Sequence, residues 1–262
     1  MAGDAVRRLA RRGLARAGLE LRRSGGGGPR RTLGEVLAHA RSLGLDPGGL
    51  IDVGVASGTP ELYAAFPEVP LLLVEPMAEH ADTLRALCAT RPGSHLEIAA
   101  AGPAAGELEL AVHRVPACSS VLGDRDPGGE PAQRRRVPVV TVDDLVARQR
   151  LPSPFVLKVD VEGAELQVLE GARATLAQTD VVLLEVSFFE LVPGGALVAD
   201  VIDWMRRADW APYDIYNGHL RPLDGALAQV DMAFVRSDGP FRSDHRYATP
   251  AQADALYRRW GY

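Results

Sequence analysis

From residue 50 onward the chain alternates short runs of Val, Leu and Ile with Ala- and Leu-rich stretches at helical spacing. No other feature restricts the fold as much. Strands covered on both faces read as continuous apolar runs, and each parallel pair needs a crossover helix, so this alternation specifies a parallel sheet with helices on both sides. Strands are expected at 50–55, 71–74, 96–99, 155–159, 181–186, 213–216 and 230–235. The best-marked helices are expected at 32–43, 78–90 and 164–176, with a shorter one around 144–148 that Thr141 or Asp143 would cap.

Between the third and fourth of these strands lies an extra stretch, 107–142. It holds an alternating strand (107–115), a Gly/Pro-rich loop (123–131) and a second strand (136–142), which together read as a hairpin laid beside the sheet. The fold class is therefore α/β: a doubly wound, mostly parallel, seven-stranded Rossmann-like sheet with a hairpin insertion. Residues 32–262 suffice for one such domain. Residues 1–31 stand apart, with arginines at 7, 8, 11, 12, 16, 22 and 23 followed by a Ser/Gly run. They read as a basic helix on a flexible tether, solvated by default, with an anionic membrane or acidic partner as the alternative.

A net charge of −5 opposes the broad basic surface that nucleic acid requires. No apolar run reaches the length of a membrane span. Cys88 and Cys118 have neither paired spacing nor clustered histidines, so neither a disulfide framework nor a zinc site is expected, and the chain reads as cytosolic.

Chemistry concentrates at three strand ends. The first expected strand runs into Ile51-Asp52-Val53-Gly54-Val55-Ala56-Ser57-Gly58, where two glycines allow a tight turn and close approach of a ligand. Ala56 occupies the middle glycine position of the dinucleotide fingerprint, which disfavours a pyrophosphate and so NAD. The second strand ends at Glu75, placed to accept both hydroxyls of a ribose. The fourth carries Lys158-Val159-Asp160-Val161-Glu162-Gly163, and period-two alternation would point Lys158, Asp160 and Glu162 the same way. Such a group suits acid/base or substrate-orienting work, or equally a structural ion pair around the only lysine in the chain.

Taken together, these residues resemble the FkbM-type S-adenosylmethionine-dependent methyltransferases. The likeness spans roughly 50–236 and rests on the Ile51–Gly58 turn, Val74-Glu75-Pro76, Ser119-Ser120, Val140-Thr141-Val142-Asp143-Asp144-Leu145, the block from Lys158 to Glu165, Val168-Leu169-Glu170-Gly171-Ala172 and Gln229–Val235. It implies a methyltransferase sheet using S-adenosyl-L-methionine to methylate a hydroxyl of a sugar or natural product. It also implies that Asp52, Gly54, Ser57 and Gly58 shape the methionine pocket, that Glu75 holds the ribose, and that Ala100 and Ala101 flank the adenine. Lys158, Asp160 and Glu162 would face the transferred methyl, with Asp160 as base or orienter. Val55-Ala56 stands where the family usually has Ala-Asn.

His113 and His219 are alternative bases. A divalent cation that lowers the acceptor's pKa, with Asp160 and Glu185 as conceivable ligands, is a less favoured alternative, because a hard-metal site needs more oxygen ligands than the pattern places. Two other functions compete: an NAD(P)-dependent oxidoreductase, and a catalytically silent nucleoside-binding α/β protein.

Overall fold

The computed structural model describes residues 28–113, 119–123 and 133–260. The expected basic helix, Cys118 and most of the 123–131 loop lie outside the described residues. Helix α1 (Leu33–Ser42) begins where Thr32 Oγ1 accepts from Glu35 N at 3.2 Å, supplying one of the partners that the first turn lacks. Then follow β1 (Gly49–Val53), α2 (Pro60–Ala65), β2 (Leu71–Val74), α3 (Ala81–Ala89) and β3 (His95–Glu97). The inserted region contributes β4 (Ala100–Ala101), β5 (Gly106–Val112) and β6 (Gln133–Val140). The second half runs α4 (Val142–Gln149), β7 (Phe155–Val159), α5 (Glu165–Glu170), α6 (Arg173–Leu176), β8 (Thr179–Ser187), α7 (Val198–Arg207), β9 (Trp210–Leu220), β10 (Leu227–Arg236) and α8 (Pro250–Trp260).

Seven strands form one sheet in the order β3-β2-β1-β7-β8-β10-β9, with every pairing parallel except the two that β10 makes. Chain order runs outward from β1 in one direction to β2 and β3, and in the other to β7 and β8. The carboxyl ends of β1 and β7 therefore flank the topological switch point, where open α/β sheets leave a crevice for ligands.

Strand alternation sorts the core into two layers. Ile51, Val53, Leu157 and Val159 face one layer, with Leu145, Val168, Val201 and Met205 from the covering helices. Leu50 and Val156 face the other, with Leu37, Leu62, Tyr63 and Leu84. Asp52 and Lys158 occupy positions on this second face that an unbroken apolar pattern would give to aliphatic residues.

Two expectations are corrected by packing, and the choice of cap for α4 is decided by it. The strand expected at 96–99 leaves the main sheet after Glu97, and Ala100–Ala101 pairs instead with β6, so the hairpin and β4 make a separate three-stranded sheet. The helix expected at 164–176 is broken, because Gly171 passes so close to Gly102 that a Cβ would lie 2.0 Å from its carbonyl oxygen. Thr141, not Asp143, caps α4 by accepting from Asp144 N at 3.0 Å. Asp143 instead starts α6, accepting from Thr175 N and Oγ1 at 2.8 and 2.7 Å and from Ala174 N at 3.0 Å.

Candidate active site

A cleft of about 570 Å³, its open mouth included, lies over the carboxyl ends of β1, β2 and β7. Gly54, Glu75, Ala100, Ala101, Asp160 and Glu162 all line it. Asp52, Ser57, Gly58 and Lys158 do not.

Gly54 has φ +77°, and a Cβ there would sit 1.8 Å from the Asp160 carbonyl oxygen. The residue is glycine because the turns after β1 and β7 cross at this point, a reason the sequence alone could not supply. Ala56 adopts φ +47° and donates its N–H to Glu75 Oε2 at 2.7 Å, while Met77 N donates to Oε1 at 2.8 Å. Glu75 is thus buried yet held by two amides, and each oxygen keeps a second lone pair for a ligand. Burial pushes its carboxyl up, against the pull of those two amides.

The expected common direction of Lys158, Asp160 and Glu162 ends with the strand. β7 stops at Val159 and Glu162 takes φ +53°, so Asp160 and Glu162 turn into the cleft while Lys158 stays on the second face. Lys158 Nζ donates to Asp160 Oδ2 at 2.9 Å and lies 3.8 Å from Asp52 Oδ1. Burial disfavours its charge, but Asp52, Asp160 and Asp231 outweigh that and raise its pKa. The Glu162 turn is pinned by Ser120 Oγ, which donates to the Glu162 carbonyl at 2.9 Å.

Behind the lysine, cross-strand register joins Glu185 to a partner that the sequence pattern does not reveal. Asp231 on β10 stands opposite Glu185 on β8. Asn217 Nδ2 donates to Asp231 at 2.8 Å and Gln229 Nε2 to Glu185 at 2.6 Å. Burial first, then the charges of Asp160, Glu162 and Asp231, push the Glu185 carboxyl up to about 9. The buried carboxyl of Glu165, at the start of α5, is likewise held at about 7, mainly by burial. Tyr63, also unforeseen, donates to Asp52 Oδ2 at 2.5 Å. Of the alternative bases, His219 is exposed on β9 and His113 does not line the cleft. Among the described residues, no group of three or more His, Cys, Asp or Glu is placed to hold a metal ion, and no helix is long and apolar enough to cross a membrane.

Sheet order, switch-point cleft and strand-end carboxylate define a Rossmann-like α/β methyltransferase fold. The methyltransferase FkbM domain is matched over residues 60–210, more than half of the chain, and the chain belongs to that family of S-adenosylmethionine-dependent methyltransferases. The matched span includes Glu75 and the Lys158–Glu165 block, but begins after the Gly54–Gly58 turn and ends before β10.

Similar solved structures include a precorrin-6y C5,15-methyltransferase from Geobacter metallireducens (12% identity, TM-score 0.40, covering 78% of this chain and 87% of that one). A TehB-like S-adenosylmethionine-dependent methyltransferase from Corynebacterium glutamicum is also similar (12%, TM-score 0.39, 89% and 97%). So is a magnesium protoporphyrin IX methyltransferase from Synechocystis with bound S-adenosylmethionine (10%, TM-score 0.40, 78% and 76%). No curated protein matches the sequence.

Proposed function

We propose that the chain methylates a hydroxyl of a small molecule, with residues 32–262 as the methyltransferase domain and residues 1–31 as an appended basic segment. The observation that carries this reading is the shared cleft: a buried carboxylate with free lone pairs, Glu75, opens into the same space as Asp160 and Glu162. Bound S-adenosylmethionine supplies an activated methyl group on a sulfonium.

The residues present fit that cofactor. Glu75 accepts from the ribose hydroxyls, its oxygens already oriented by Ala56 N and Met77 N. Ala100 and Ala101, small and buried, make an apolar wall for the adenine, and Gly54 admits the methionine part at the switch point. Asp52, Ser57 and Gly58 serve the same turn from outside the cleft. Asp160 accepts from the acceptor hydroxyl, aligns it and takes its proton, while the Lys158 ammonium fixes the Asp160 side chain by donating to it and Glu162 borders the acceptor.

Titration calorimetry tests the cofactor: S-adenosylhomocysteine should bind in the micromolar range and NAD and NADP should not. Replacing Asp160 with alanine should abolish methyl transfer to hydroxylated acceptors and leave S-adenosylhomocysteine affinity within about threefold, since the residue contributes to orientation and proton removal. Retained transfer in that variant would remove Asp160 from the mechanism.

A further inference from the structure

We propose that Tyr63 is a positioning residue whose hydroxyl satisfies Asp52 and so leaves the Lys158 ammonium to Asp160. The inference rests on the reading of Asp160 as the acceptor-orienting carboxylate. It starts from register: Asp52 on β1 pairs with Lys158 on β7, and parallel neighbours at one level point to one face. Asp52 is completely buried, so its carboxylate must find donors within the protein. Only Oδ2 has one, the Tyr63 hydroxyl at 2.5 Å; Oδ1 makes no hydrogen bond with any described residue.

Lys158 stands between two carboxylates that compete for it. Its Nζ sits 2.9 Å from Asp160 Oδ2 and 3.8 Å from Asp52 Oδ1, an unequal partition in favour of Asp160. The Tyr63 hydroxyl accounts for that inequality. Burial, reinforced by the charge of Asp52, raises the phenol far above its ordinary range, so it remains an O–H donor throughout the working pH range. Its ring is fixed as well, lying beneath the Arg91 guanidinium and against the Gly58 turn, where a Cβ would come within 3.3 Å of Cε2.

Without the hydroxyl, the buried Asp52 carboxyl has no donor within reach among the described residues except Lys158. The ammonium then moves toward it and away from Asp160. The other groups around Asp160 do not compensate: Glu162 in its own turn, Glu165 on α5, Glu185 on β8 and Asp231 on β10 are all carboxyl groups, and Tyr216 on β9 is a buried phenol. Stripped of the ammonium, Asp160 is left without a cationic partner among the described residues, and nothing then fixes its carboxylate toward the cleft.

Lys158 is the only lysine in the chain, so full-length protein labelled with ¹⁵N-lysine gives one side-chain Nζ signal, whose position reports which carboxylate the ammonium touches. Asp160→Asn marks the position of an ammonium that has lost its contact with Asp160. In Tyr63→Phe the signal should move from the wild-type position toward that mark. In Tyr63→Phe/Asp52→Asn the competing carboxylate is gone, and the signal should return to the position it has in Asp52→Asn alone. An unmoved signal in Tyr63→Phe, or one still displaced toward the Asp160→Asn position in the double variant, overturns the proposal. Should Tyr63→Phe fail to fold, Asp52→Asn alone decides: a signal that stays or moves away from the Asp160→Asn position supports the competition, and one that moves toward it refutes it. None of these readouts needs cofactor or acceptor. Failure to bind S-adenosylhomocysteine would therefore refute the proposed reaction without touching Tyr63, and an unmoved signal would do the reverse.

Discussion

Replacing Gly54 with alanine should drive apart the two turns that form the cleft floor. The new Cβ would lie 1.8 Å from the Asp160 carbonyl oxygen and 2.7 Å from its carbon, where real Cβ contacts hardly ever fall below 3.0 Å. One turn must therefore retreat by about 1 Å or more. Two costs add. Holding an alanine at φ +77° costs about 1–2 kcal/mol, and overpacking a fixed backbone crossing costs roughly 1–3 kcal/mol more. Gly44 is the internal control: it has φ +99° with nothing within 4 Å, so Gly44→Ala carries only the first cost. Denaturant unfolding should place Gly54→Ala about 2–5 kcal/mol below wild type and Gly44→Ala only about 1–2 kcal/mol below. S-adenosylhomocysteine titration on the folded fraction should show weakened binding for Gly54→Ala alone. Since a displacement of about 1 Å at a reacting group costs on the order of 100-fold, methyl transfer should fall by about that factor too. If the two variants proved equally stable and bound equally well, the crossing of Gly54 and Asp160 would not be what requires glycine here.

Ala56 holds φ +47°, where asparagine is tolerated far better than alanine, so Ala56→Asn should stabilise the fold by roughly 0.5–1 kcal/mol and raise Tm by about 1–4 °C; a lowered Tm would show that the side chain meets an obstacle in the cleft. Glu185 titrates near 9 when folded against 4.5 for an ordinary glutamate, so between those values the folded state binds the extra proton and its stability falls as pH rises. Glu185→Gln should therefore gain on wild type in denaturant midpoint between pH 5.5 and 8.5, on the order of 1 kcal/mol per pH unit, and equal slopes for the two proteins would contradict the assignment.

Much of this architecture was legible because it is local. The runs at Leu71–Val74 and Phe155–Val159 announce their strands to the residue, since short apolar runs of this kind, interrupted in the second only by Lys158, suit an interior parallel strand. Glu75 and Asp160, which both line the cleft, could be read as candidate site residues because each directly follows such a run, and strand ends are where α/β sheets bind ligands. β9 was underestimated because most of its hydrogen bonds go to β10 and most of its side chains are partly exposed, which leaves a weak pattern over a long strand. The break at Gly171 was invisible for a similar reason, because its cause, the Gly102 carbonyl, lies in a separate part of the chain.

By itself, the sequence determined the layered α/β fold, the glycine turn and the three strand ends at which chemistry gathers. These follow from periodicity and from turn chemistry, which act over a few residues. Tertiary structure alone decided that Asp52 turns away from the cleft to Tyr63, that Lys158 is shared between two carboxylates, and that Glu185 and Asp231 face each other behind them. Asp52 meets Lys158, and Glu185 meets Asp231, through strand register across tens of positions, while Tyr63 arrives from a helix packed on the sheet, and a side chain's charge and hydrogen bonds depend on which neighbours that packing brings within reach.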